Sequence, residues 1–252
     1  MGAGRKPACW FSLSAPVSKE SDRFHFARNS GILLQQAANN DLAEGRTEAG
    51  SEKLLCLFQV AEHFYSQMGA SDYCAGMFVR SDGLRQLARQ VVTGDVSPEW
   101  LARFDAILSQ TEQGRDEKVW QICRIEDLLD RERLSLRARV ARPFTHGAYL
   151  KQAVRIYSSC LSEVRAGRIL LALRRHRDQT GAWPTTLAQI EGGIAPEALI
   201  DPLTRKPFVY RPAGDGFVLY NVGPNRIDEG GTSGDDYHFW PLSPQWAGSV
   251  TY

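Results

Sequence analysis

The feature that most constrains this chain is a change of pattern at about residue 180. Before it, apolar residues recur at helical spacing and nothing alternates with the period of a strand. Phe24, Ile32, Leu33, Ala37 and Leu42 form a stripe that ends near Gly45, and Leu54, Leu57, Phe58, Ala61, Phe64 and Tyr65 form a wide face on a helix over 48–68. A third helix spans 73–92 and stops at Thr93-Gly94. Ser97-Pro98-Glu99 supplies an N-cap, a proline at the first helical position and an acid in the first turn, ahead of a stripe of Trp100, Leu101, Phe104, Ile107 and Leu108. The spacing predicts a fifth helix over 116–140, interrupted by Pro143, and a long sixth over 149–179.

Beyond residue 180, glycine and proline become frequent and aromatic β-formers enter. Residues 208–211 and 217–220 read as the strands of a hairpin joined by the loop 212–216, and 223–246 reads as turns with few strand signals. An isolated hairpin is marginal, and the long helix must bury Ile169, Leu170 and Leu173, so each answers the other's need for a partner. The expected class is α+β: an all-α bundle, a long helix, then a small antiparallel β module. The expected division is a flexible segment over 1–22, a helical domain over 23–145, and the long helix with its module over 146–252. Residues 31–67 read as a helix pair touching at Ala37, Gly45 and Ala49. No second copy follows at the period of about 34 residues that a tetratricopeptide array needs, so an irregular bundle is preferred.

Composition narrows the function. The net charge of +1 gives no global field for nucleic acid or an anionic membrane, and the basic residues, interleaved with acids, read as solvated helix faces. The five cysteines form neither a CxxC pair nor a Cys/His cluster. Ala8–Val17 is too short and polar for a secretory core, and no run approaches the roughly 18 apolar residues of a membrane span. GxSxG, Walker A and GxGxxG are missing, and His25, His63, His146 and His176 stand alone. These readings point away from an enzyme.

Several short motifs then fall in a fixed order. They are Leu170–His176, Gly181-Ala182-Trp183-Pro184-Thr185-Thr186-Leu187, Asp201-Pro202-Leu203-Thr204-Arg205-Lys206-Pro207-Phe208, Gly214–Phe217, Tyr220–Asn225, and Asp235-Asp236 with Trp240. Together they resemble the globular part of a major pseudopilin of the type II secretion system, over residues 168–242. The whole chain also resembles bacterial proteins, abundant in planctomycetes, that join a helical region to this tail, a resemblance that implies no activity. One departure is plain: Lys151, Arg155, Arg165, Arg168, Arg174 and Arg175 stand on the helix that in pseudopilins enters the membrane.

The resemblance implies a structural calcium loop. Oxygen donors on a Gly-rich turn suit a hard cation, and Asn225, Asp228, Asp235 and Asp236 are the candidate ligands. Asn225 stands where the family usually has Asp, and Asp236 matches the closing acid. The competing reading is a solvated turn whose Asn and Asp side chains cap their own backbone. His238, beside Asp235 and Asp236, reads as an ordinary histidine before it reads as a transition-metal ligand. The expected function is a non-catalytic structural or protein-interaction role, in the cell envelope by resemblance, or in the cytoplasm where no anchor precedes the chain. A cytoplasmic tetratricopeptide-like adaptor binding a partner peptide is the alternative, and a hydrolase ranks below both.

Overall fold

The computed structural model describes residues 17–65, 70–112, 136–231 and 236–242. Within them the fold is α+β, with five long helices followed by two short 3-10 helices and one three-stranded sheet. The helices are α1 (Val17–Ala43), α2 (Thr47–Tyr65), α3 (Ala70–Thr93), α4 (Pro98–Glu112) and α5 (Leu136–Thr180). The helix expected over 116–140 falls largely on residues outside this description. Two expectations are corrected. Helix α1 begins at Val17, ahead of residue 23. Helix α5 runs through Pro143, because a proline's fixed φ is itself helical and the ring forgoes only one hydrogen bond of a 45-residue helix.

Contacts divide the chain into two units, Met1–Gly83 with Thr111–Cys160, and Leu84–Gln110 with Leu161–Tyr252. The division cuts α3, α4 and α5.

In the first unit, α1 and α2 form a hairpin. The turn between them closes when the Gly45 and Arg46 amides donate to the carbonyls of Leu42 and Asp41. Gly50 packs closely against α1, where a Cβ on it would lie 2.5 Å from Leu42 Cγ and 3.1 Å from the Ala38 carbonyl oxygen. The predicted stripe of α2 is buried throughout, and each such Leu or Phe contributes about 1.5–3 kcal/mol. Arg89, Arg103, Arg155 and Arg177 are exposed, as solvated faces require, but other basic residues are not. Arg80 is 2% exposed, pairs with Glu62, and lies 4.3 Å over the ring of Tyr65. The Thr111 hydroxyl donates to the same Glu62 carboxylate at 2.8 Å.

In the second unit, the Ser97 hydroxyl caps α4 by accepting from the Trp100 amide, as the sequence predicts. Trp100, Leu101, Phe104 and Leu108 are buried. Three arginines of α5 are anchors here. Arg168 and Arg175 both reach Asp105 of α4, at 3.3 and 3.0 Å. Arg174 donates to the carbonyls of Val91 and Gly94, each at 2.8 Å, and so occupies the acceptors that the end of α3 leaves open. Helix α5 ends at Gly181, whose φ of +82° and amide bond to the Arg177 carbonyl make it the expected C′ residue.

The 3-10 helices Leu187–Gly193 and Pro196–Leu199 lead to the sheet, which has the order β1 (Val209–Ala213), β2 (Gly216–Asn221), β3 (Tyr237–Trp240), all antiparallel. The hairpin loop has two residues, Gly214 and Asp215, where five were expected, because Pro212 and Ala213 pair with Phe217 and Gly216. Proline is tolerated there since β1 is an edge strand, and Gly214 takes the positive φ, +55°, that so short a turn requires. Strand β3 lies in the stretch whose sequence reads as turns; its register shift beside Leu219 and Tyr220 breaks the alternation by which a strand is recognised.

Candidate functional site

The candidate site is the loop after β2 together with the strand residues beneath it. Strand pairing sets those residues side by side. Tyr220 of β2 pairs with His238 of β3, and their rings stack at 5.3 Å. Arg211 of β1 reaches over the Tyr220 ring at 5.5 Å. Tyr220 is 0% exposed, so the loop and its neighbours cover it completely.

Asp228 fastens the loop at this point. One carboxylate oxygen accepts from the Tyr220 hydroxyl at 2.7 Å and from the Gly230 amide at 2.9 Å, and the other accepts from Arg211 at 2.7 Å. The Tyr220 bond, then the Gly230 amide, hold the Asp228 carboxyl below its ordinary acid strength range. Burial, then the same bond to Asp228, push the Tyr220 phenol well above its usual value. The pair is therefore fixed as carboxylate and phenol, an arrangement that holds a proton in place. Gly231 closes the cover, with a φ of +70°. A Cβ there would meet His238 Cε1 at 2.9 Å and Tyr220 Cε1 at 3.2 Å.

The sequence-predicted ligands are placed as follows. Asn225 accepts from the Ile227 amide at 2.8 Å and donates to Glu229 at 2.6 Å. Asp228 makes the three bonds above. Asp236 accepts from the Gly231 amide at 2.8 Å through one oxygen, while its other oxygen is buried without a hydrogen-bond partner. Asp235 lies outside the described residues. Among the described residues, no three His, Cys, Asp or Glu side chains gather as a metal-holding group. The caps seen at Asn225, Asp228 and Asp236 are those of a self-capping turn, yet an oxygen that accepts one bond keeps a second lone pair for a cation. The orphaned oxygen of Asp236 has the hard-donor chemistry that a calcium ion takes. The His238 ring stacks on Tyr220.

A second polar centre, which the sequence does not signal as a site, surrounds Asp201. Asp201 is 0% exposed, and its carboxylate accepts from the hydroxyl of Ser162 on α5, from the Leu203 amide at 3.4 Å, and from the amide and hydroxyl of Thr204 at 2.9 and 2.6 Å. The Asp-Pro-x-Thr spacing signals the turn, since Thr three residues on can return a bond. Nothing in the sequence signals Ser162. The Tyr237 hydroxyl likewise donates to Glu163 at 3.0 Å, tying β3 to α5. Trp183 sits between Arg177, 4.7 Å over its face, and Phe217, 4.8 Å away edge-on.

No protein-family model, no curated protein and no solved structure matches this chain.

Proposed function

We propose that the chain is a non-catalytic structural or protein-interaction protein of the bacterial cell envelope or of a secretion-like assembly, with a pseudopilin-like C-terminal module braced by calcium. What supports the reading is the order of pieces after α5. A helix stopped at Gly181 leads to a short helix at Leu187, a buried Asp-Pro turn, a hairpin, an acidic loop and a returning strand. The observation that carries the calcium part is the partnerless buried oxygen of Asp236. An ion there would clamp a loop whose only large apolar side chain, Ile227, is 62% exposed.

The test is a thermal melt in excess calcium against the same protein in chelator. Calcium at about 100 times its dissociation constant adds about 2.7 kcal/mol, which for a chain of this length moves the midpoint by about 5–10 °C. Asp236→Ala should abolish that rise. Coincident melts would leave the loop as a self-capped turn and end the calcium part of the reading.

A further inference from the structure

Two loops of the second unit carry an unusual combination of residues. Among the described residues, three large hydrophobic side chains are exposed, and two of them are Ile200 at 37% and Ile227 at 62%. They lie on the turn before β1 and on the loop after β2. The Lys206 ammonium joins these segments by donating to the Arg226 carbonyl at 2.7 Å. Around them Arg205, Lys206 and Arg226 are exposed. Among the described residues no carboxylate pairs with any of the three. Asp228 is taken by Arg211, and Glu229 accepts from the Asn225 amide.

The backbone adds an independent observation. Only two non-glycine residues have positive φ among the described residues, Arg205 at +58° and Arg226 at +61°. Glycine or asparagine would occupy the left-handed region at less cost, and an arginine gains nothing from it. Both positions thus hold a long cation in a conformation the chain must be forced into, on two loops tied to each other. Such strain belongs to sites that use the side chain. The turns themselves are fixed from within. The Arg205 amide donates to the Asp201 carbonyl at 2.7 Å, and the Asn225 side chain accepts from the Ile227 amide, leaving the Ile227 side chain outward.

We propose that the loops bearing Ile200, Arg205, Lys206, Arg226 and Ile227 form a docking patch for an anionic lipid surface, the arginines meeting headgroup phosphates and Ile227 entering the interface. Cations bordering an exposed apolar side chain are the combination such a surface binds. The patch is argued from its own residues and does not rest on the calcium loop or on the envelope reading.

The experiment is sedimentation of the full chain with vesicles of phosphatidylcholine alone and of phosphatidylcholine with phosphatidylglycerol. Binding is expected to the anionic vesicles only, and to fall as salt rises. Arg205→Asn and Arg226→Asn should each weaken it about fivefold and together about twenty-five-fold. Their melting temperatures should hold or rise, since asparagine accepts this φ. Ile227→Ser, at an exposed position that no fold contact needs, should weaken binding about tenfold. Equal binding to neutral vesicles, or asparagine variants that bind as the parent does, would overturn the proposal. Retention on an immobilised acidic polypeptide without vesicle binding would assign the patch to an acidic protein and overturn it too.

Discussion

Replacing Arg174 with methionine isolates the anchoring of α5 to the end of α3. Arg174 is 8% exposed, and its bond to the Val91 carbonyl is buried while that to Gly94 is part-buried. Methionine keeps the apolar stem but donates nothing. A buried carbonyl left without a donor costs about 2 kcal/mol, and a part-buried one about 1 kcal/mol because water recovers some of it. Removing a cation from a helix C-terminus costs about another 0.5 kcal/mol. The ion pair with Asp178, one helical turn along, adds only a few tenths because Asp178 is exposed. The expected loss is about 3–4 kcal/mol, a large fraction of the stability of any domain. Urea unfolding followed by circular dichroism should show a lower midpoint with an unchanged slope. Arg174→Lys should lose about half as much, since one ammonium cannot hold both carbonyls with the same fork. The exposed Arg89→Met on α3 is the comparison, expected within about 0.5 kcal/mol of the parent. If Arg174→Met and Arg89→Met unfold alike, the carbonyls are satisfied without the guanidinium and the anchoring argument fails.

Gly231→Ala should cost about 1–3 kcal/mol, because it adds a side chain at positive φ against the Tyr220–His238 stack; a near-ultraviolet dichroism signal unchanged from the parent's would refute that close approach. Burial raises the Tyr210 hydroxyl to about 12 and also raises Tyr220. The stability these phenols contribute is full below about pH 10, the value for an unfolded tyrosine, and is lost as pH rises through the folded values. Urea midpoints from pH 8 to 12 should therefore fall beyond pH 10, less steeply in Tyr220→Phe. Asp228 has the opposite sign: its lowered value gives stability that is full above about pH 4 and lost as pH falls further, and Asp228→Asn should flatten that acid limb.

The sequence displays the parts of this fold that depend on local pattern. The buried stripe of α2, the Ser97 cap and the Gly181 stop are each set by residues within one or two turns, and each stands where the spacing places it. Pro143 and Pro212 misled because proline forbids less than its reputation suggests: a helix can bear one lost hydrogen bond, and an edge strand needs none from its outer side. Strand β3 announces itself only as four consecutive rings, Tyr237 to Trp240, without the alternation of a half-buried strand. The pairings that matter most at the candidate site join residues far apart, such as Arg211 to Asp228 and Ser162 to Asp201, and no spacing rule connects them. The acids around the loop were visible as candidates, whereas Tyr220 as their anchor was not, since a tyrosine in a strand carries no sign of what will cover it.

The interleaving of the two contact units has a bearing on how this chain can be taken apart. Each unit is assembled from two separate stretches, and all three boundaries fall inside helices. No single cut yields either unit. A fragment beginning anywhere after Gln110 would carry Arg168, Arg174 and Arg175 without Asp105 and without the carbonyls of Val91 and Gly94. Three arginines shaped for burial would then face water along one side of α5. The C-terminal module, however self-contained its motifs look, is not a transferable part: a gene fusion that moved it alone would leave its foundations behind.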